Sequence, residues 1–407
     1  MLAGTREIIP DGGGNDLPAP SSKEKAMDAP VRSVISPGRY VQGPGAIARL
    51  GEYLAAVGQT PLVVADDVVW GFVGHDVEAS LTRAGMATTR ETFNGIPSAG
   101  EIDRLTAVIR AAGADVAVAV GGGSTIDAVK ASGFLAGIRW VSVPTVASTD
   151  APTSALAVVY TDEGVFEEYR FFPRNPDLVL VDSQLVANAP ATFLAAGVGD
   201  ALATWLEARA TAASGSLTMA GGTATLTGTA LARLSWDVLW DNALVAMDAA
   251  RDHVVTPALE KVIEANTLLS GLGFESGGLA AAHAVHNGLT AAPQTHGLSH
   301  GQKVNIGSIT QLVLEGAPSS EIVDFIEFTT RVGLPTTLTE IGLRAEDTEE
   351  IRAVARAATV ESETIHSMPF TVRADDVAAA LTSIERLGRR VRARAGLPEP
   401  QPYRHAH

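Results

Sequence analysis

Asp115-Val-Ala-Val-Ala-Val120 is a short apolar β-type run, broken at once by Gly121-Gly-Gly-Ser-Thr125 and followed by helical spacing to Ala136. A strand that hands the chain to a helix through a glycine-rich turn begins a parallel βαβ unit, and it presents backbone N–H groups together with the positive end of the helix dipole. The corner therefore predicts an α/β sheet whose glycine-rich turn is either a pyrophosphate-type anion site or only a tight connection, with the strand context favouring the anion site. Further strand patterns lie at Pro61–Asp66, Thr88–Phe93, Trp140–Pro144 and Asp177–Asp182. Helical spacing covers Glu101–Ala112 and Thr125–Ala136, with Ser98 and Ser124 near the starts as caps. Ala155–Tyr160 and Phe166–Phe172 flank Thr161-Asp-Glu-Gly164, whose Asp and Gly predict a hairpin turn.

Beyond Pro190 the β pattern fades and Ala, Leu and Glu recur at three- and four-residue spacing, so the second half is expected to be helical. A chain of 407 residues exceeds one ordinary core. The expected division is a disordered leader at 1–31, a nucleotide-binding α/β domain at 32–188 and a helical domain at 189–407. Ala210–Gly228 has neither charge nor Pro and predicts a close-packed helix pair broken at glycine. The leader mixes Gly, Pro and Lys without an apolar centre, so it does not read as a signal peptide. No long uncharged apolar stretch predicts a membrane span, and the expected setting is the cytoplasm. A formal charge of −16 argues against nucleic acid and anionic membranes as partners and favours a small-molecule substrate.

There are no cysteines, which leaves His, Asp and Glu for any metal site. His283, His286, His296 and His300 cluster within 18 residues, and Asp200 stands in the apolar run Gly197-Val-Gly-Asp-Ala-Leu202. Three such ligands with one open position suit catalytic zinc, although a histidine taken singly is more often structural and Asp200 also reads as a helix cap. Asp66, at a strand end, can accept hydrogen bonds from ribose hydroxyls and repel a 2′-phosphate, which points to NAD over NADP. Gly43-Pro-Gly45 superficially fits a dinucleotide fingerprint. It precedes the first strong strand, and Pro44 removes a donor, so it reads as structural.

Gly121-Gly-Gly-Ser-Thr-Ile-Asp127, Ser148-Thr-Asp-Ala-Pro-Thr-Ser-Ala155, Gly199-Asp-Ala-Leu202 and the long run from Gly273 to Gly288 resemble the glycerol dehydrogenases, within the iron-containing alcohol dehydrogenase superfamily, over about Ser36 to Arg390. The resemblance implies a Rossmann-like domain followed by an all-α domain of the dehydroquinate synthase-like type, with the active site between them. It assigns zinc to Asp200, His283 and His300 and makes His286 a neighbour rather than a ligand. It maps NAD contacts onto Asp66, Gly122, Gly123, Ser124, Thr145, Ser148, Ser154 and Leu156, with Tyr160 nearby. Asp150 becomes the acid that meets substrate hydroxyls, and a homo-oligomer, often an octamer, is expected. The implied reaction is NAD-linked oxidation of a small polyol.

Two positions depart from the family pattern. Ser124 stands where those enzymes carry Lys, and Gly297-Leu-Ser299 replaces bulkier aromatic residues. A dehydroquinate-synthase-like lyase or a glycerol-1-phosphate dehydrogenase would need a basic cluster that the motif segments lack. A non-catalytic binding protein fits poorly with three retained ligands.

Overall fold

Segments of four to six residues form the strands β1 (Tyr40–Gly43), β2 (Pro61–Ala65), β3 (Thr89–Thr92), β4 (Val116–Gly121), β5 (Arg139–Pro144), β6 (Leu156–Tyr160), β7 (Phe166–Phe171) and β8 (Leu178–Asp182). Six of them pair in parallel in the order β1-β8-β5-β4-β2-β3, while β6 and β7 form the expected antiparallel hairpin. The computed structural model describes residues 31–403, and from Arg32 on the chain is one compact unit. Apart from Val31, the leader expected at 1–31 lies outside the described residues.

Alternation along the strands divides the sheet's two faces. Val63 and Ala65 join Val116, Val118 and Val120 against Leu50 and Leu54 of α1 (Leu50–Leu54) and Val73, Val77 and Leu81 of α2 (Asp67–Arg83). Leu62, Val64, Ala117 and Ala119 face the other way, onto α3 (Ala99–Ala111) and α4 (Gly123–Ala136). Burial on both faces is why β2, β4 and β8 read as unbroken apolar runs. The chain passes from β2 to β3 on one side and to β4 on the other, so a crevice opens beyond the carboxyl ends of β2 and β4.

After β8 and α5 (Ser183–Asn188) the chain is helical: α6 (Ala191–Ser214), α7 (Leu226–Arg251), α8 (Pro257–Glu264), α9 (Ser270–Gly277), α10 (Ala281–Leu289), α11 (His300–Leu314), α12 (Ser319–Val332), α13 (Thr348–Ala357) and α14 (Ala374–Ala395). Its core also takes in Ala147, Val179 and Val181, so sheet and helices share apolar packing. A π-helical turn, Ala265–Leu269, joins α8 to α9. Its irregularity has partners: Thr153 Oγ1 donates to Thr267 O at 3.0 Å, and Asn266 Nδ2 donates to Ala147 O at 3.0 Å. The bulge thus grips the loop that follows β5. Among the described residues no helix is long and apolar enough to cross a membrane.

Four details differ from expectation. Ser98 caps α3, but α4 starts after Gly122 and places exposed Ser124 inside its first turn rather than at the cap. The Gly43–Gly45 corner does follow a strand, β1. Its amides are already used, because Gly45 N and Ile47 N donate to the Asp182 carboxylate at 3.1 and 3.0 Å. Asp200 lies in the middle of α6 instead of capping its start. Ala210–Gly228 contains not a simple break but a loop between α6 and α7, entered through Gly215 with φ 71°.

Candidate active site

The crevice deepens into a cleft of about 480 Å³ between the strand ends and the helical part. No side chain caps α4, so the N–H groups of its first turn, at Gly122, Gly123 and Ser124 on the cleft wall, are left for an anion. Asp66 closes β2 and caps α2 through Oδ1, which accepts from Val69 N at 2.8 Å. The residue also lines the cleft, where its second oxygen can accept from a ligand hydroxyl. Asp150, Ser148, Ser154, Leu156, Tyr160, His283 and His300 line the same cleft. Thr145 does not: it is buried, and its N–H donates to Gly121 O.

At the far wall three helices converge. His300 Nε2 and His283 Nε2 stand 2.9 and 3.4 Å from Asp200 Oδ1, and one donor atom from each residue falls within 4.8 Å of the others. Despite the two nearby rings, this buried carboxylate oxygen has no hydrogen-bond partner of normal geometry. A buried charged acceptor without a partner is costly, and two imidazole nitrogens with one carboxylate oxygen are a donor set suited to a divalent metal. The residues present fit such an ion.

Glycines bring these ligands together. A Cβ on Gly301 would lie 1.8 Å from Ala196 O, and one on Gly199 2.6 Å from Gly301 O, so α6 and α11 touch backbone to backbone beside Asp200 and His300. Likewise a Cβ on Gly307 would lie 2.1 Å from Ala282 O, which seats α11 against α10 next to His283.

The electrostatics follow from burial and neighbours. Burial alone would raise the Asp200 carboxyl, but the His300 and His283 imidazoles overcome it and hold Asp200 below the usual range. Burial opposes a charge on His283, yet Glu207 and Asp200 override it and push that imidazole well above its ordinary value. Asp150 is raised well above normal by burial and then by the Asp200 charge, and it accepts a 2.7 Å hydrogen bond from Ser270 Oγ. Burial, then the charges of His300 and Lys303, drive His286 well down and keep it neutral.

His286 also lines the cleft, its ring centroid 4.2 Å from that of His300, but it is not one of the three converging donors. His296 is exposed, with Nε2 2.9 Å from Thr290 O, away from the site. Leu298 is buried in the core, and Ser299 forms a capping box with Gln302 at the start of α11. The Gly297–Ser299 departure therefore sets the start of a ligand helix rather than the cleft wall.

Two residues escaped the sequence reading. Glu207, fully buried, faces His283 Nδ1 at 2.5 Å. Its signal was available, as a lone acid seven residues after Asp200 on the same helix face. Buried Lys130 lies 2.8 Å from Asp127 and donates to Ala151 O and Ser154 Oγ, bracing α4 against the 148–154 loop. No Lys or Arg side chain is among the described residues lining the cleft.

The sequence profile of the iron-containing alcohol dehydrogenase family matches residues 37–183. A glycerol dehydrogenase of Escherichia coli O6:H1 is 51% identical over 359 residues, 88% of this chain and 98% of that protein. A glycolaldehyde reductase of Halobacterium salinarum is 48% identical over 88% of this chain and 98% of its own length. The crystal structure of glycerol dehydrogenase from Schizosaccharomyces pombe superposes with a TM-score of 0.89 at 37% identity, covering 93% of this chain and 97% of that one.

Proposed function

The chain belongs to the iron-containing alcohol dehydrogenase family, and from that premise we propose that it oxidises glycerol, or a similar small polyol, to dihydroxyacetone or the matching ketone with NAD. The observation that carries the reading is the convergence of Asp200, His283 and His300 at the end of a cleft whose other end is an uncapped glycine-rich helix start. In this reading those three residues hold a zinc ion. When bound, the metal supplies Lewis acidity at the secondary hydroxyl and the nicotinamide supplies the hydride acceptor.

The chain's own groups do the rest. N–H groups of Gly122, Gly123 and Ser124 receive the pyrophosphate, with Ser148, Ser154, Leu156 and Tyr160 along the cofactor's path; Thr145 contributes from behind by holding the turn through Gly121. Asp66 accepts from ribose hydroxyls and disfavours a 2′-phosphate. Asp150, fixed by Ser270, orients a substrate hydroxyl beside the reacting carbon. The apolar wall of Leu156, Phe274 and Leu279 keeps water from the transferring hydride. The absence of Lys and Arg from the described lining argues against phosphorylated substrates, hence against a glycerol-1-phosphate dehydrogenase or a dehydroquinate-synthase-like lyase. Division into cofactor and metal parts near residue 188, a cytoplasmic setting and assembly as a homo-oligomer, an octamer by family resemblance, belong to the same reading.

The test is NADH formation at 340 nm across polyols, glycerol phosphate and glycolaldehyde reduction, with metal measured on the same sample. Expected is turnover of glycerol that depends on metal, with NADP a poor substitute. Turnover confined to the phosphorylated substrate, or equal use of NADP, overturns the reading.

A further inference from the structure

Helix α10 begins with no cap of its own, since Ala280 offers no side-chain acceptor. Its first amides are instead claimed by the two neighbouring helices. Glu207 Oε1, from α6, accepts from Ala280 N at 2.8 Å and from His283 N at 2.9 Å. Gln311 Oε1, from α11, accepts from Ala281 N at 3.1 Å and Ala282 N at 3.0 Å. The two side chains differ in one respect. Glu207 has a second oxygen, and Oε2 lies 2.5 Å from Nδ1 of His283. The carboxylate accepts only, so the proton of that contact sits on Nδ1, and Nε2 is the nitrogen turned toward Asp200 and His300, offering its lone pair once an ion displaces its proton. Glu207 is fully buried, and its ion-pair partner among the described residues is this imidazole.

We propose that Glu207 is a positioning residue of the metal centre: by clamping the start of α10 and the Nδ1–H of His283 with one carboxylate, it fixes the ring and the tautomer that leave Nε2 free to bind the ion. The inference rests on the metal site read above, and it adds to it a residue that does not itself touch the metal. A carboxylate behind a ligating imidazole also raises the basicity of the nitrogen opposite. Gln311 does the capping part of this work without touching the ring, which lets the two roles be separated.

Purified holoenzyme is challenged with a zinc chelator of known affinity, and the zinc dissociation constant and thermal midpoint are read for wild type, Glu207→Gln and Gln311→Leu. Glu207→Gln keeps size and an oxygen for the backbone amides, but its NH2 group cannot accept from Nδ1–H. Expected is zinc binding weakened by about 10–100-fold, with the midpoint of the metal-free protein, read in excess chelator, close to wild type. Gln311→Leu loses two cap bonds and is expected to lower the midpoint while changing zinc affinity less than threefold. A second readout is ¹⁵N NMR of the histidine rings in the metal-free proteins, where wild type shows His283 protonated at Nδ1 and Glu207→Gln does not. Equal zinc affinity in wild type and Glu207→Gln overturns the proposal, and so does equal weakening by the two variants, which would make capping alone the cause. Wild type that binds no zinc fails the metal site itself, a distinct result.

Discussion

His283, His286 and His300 show what decides between similar side chains in one cavity. All three line the cleft, and spacing alone leaves His283 and His286 as neighbours on one helix. Of those two, only His283 turns Nε2 toward Asp200, as His300 also does, whereas His286 Nδ1 lies 3.0 Å from Asn287 Oδ1 and its ring is neutral. His283→Ala and His300→Ala are each expected to lose zinc and nearly all turnover; His286→Ala is expected to keep zinc. Metal analysis of the three purified proteins checks this, and zinc retained by His283→Ala but lost from His286→Ala would reverse the assignment. The cluster was legible in the sequence, but the choice within it came from the resemblance. Asp200 was harder. Gly197 and Gly199 make its surroundings look like a helix start, yet those glycines are required by close contacts with Ala147 O and Gly301 O across sequence-distant elements. Gly301→Ala is accordingly expected to push α11 off α6, to cost about 1–3 kcal/mol of stability and to weaken zinc binding about tenfold or more. Denaturant titration and chelator competition on the same variant measure both.

Among elements, those whose pattern is local were readable and those shaped by distant partners were not. β2, β4, β5 and β8 announce themselves because burial on both faces demands continuous apolar runs. β1 was missed, since Tyr40–Gly43 is only half-buried and carries Gln42. The π turn at Ala265–Leu269 has no local signature because its cause is Thr153 and Ala147 on a loop over a hundred residues earlier. The adjoining α9 supplies the next junction. Glu275 is buried and accepts from Ala155 N at 2.6 Å and Asn175 Nδ2 at 2.5 Å, joining α9 to the start of the hairpin. Burial outweighs these donors and lifts its carboxyl from 4.5 to about 7. A raised acid favours the protonated native state, so its contribution is complete below pH 4.5 and is lost as pH climbs through about 7. The loss is of order 1–3 kcal/mol. Glu275→Gln has no proton to give up there and is expected to gain on wild type by that amount between pH 5 and pH 8 in urea unfolding. A difference that stays flat with pH would show that the donors, not burial, govern this carboxylate.

Over the whole molecule, the question is whether the proposed metal would hold the structure together or occupy a place already made. The large apolar core runs through α6, α7, α10, α11 and α14 and reaches Val179 and Val181 of the sheet, so the ligand helices are packed independently of any ion. Their ends are satisfied as well: Glu207 and Gln311 cap α10, and Ser299 with Gln302 caps α11. Without metal, the carboxylates of Asp200 and Glu207 both face His283, whose imidazole they hold above its ordinary pKa, so a proton takes the place of the ion at short range. A zinc site made by the fold differs from one that makes the fold, where removal unfolds the chain. Exhaustive chelation is therefore expected to abolish turnover while leaving far-ultraviolet circular dichroism unchanged within a few per cent. Unfolding stability should fall only by the linkage term, about 3–4 kcal/mol if free zinc had stood at 100 to 1,000 times its dissociation constant, and the thermal midpoint with it. Restoring zinc should restore turnover and midpoint together. Loss of the helical signal on chelation would mean that α6, α10 and α11 depend on the ion for their packing, and turnover that survives with metal shown to be absent would remove the metal from the reaction altogether.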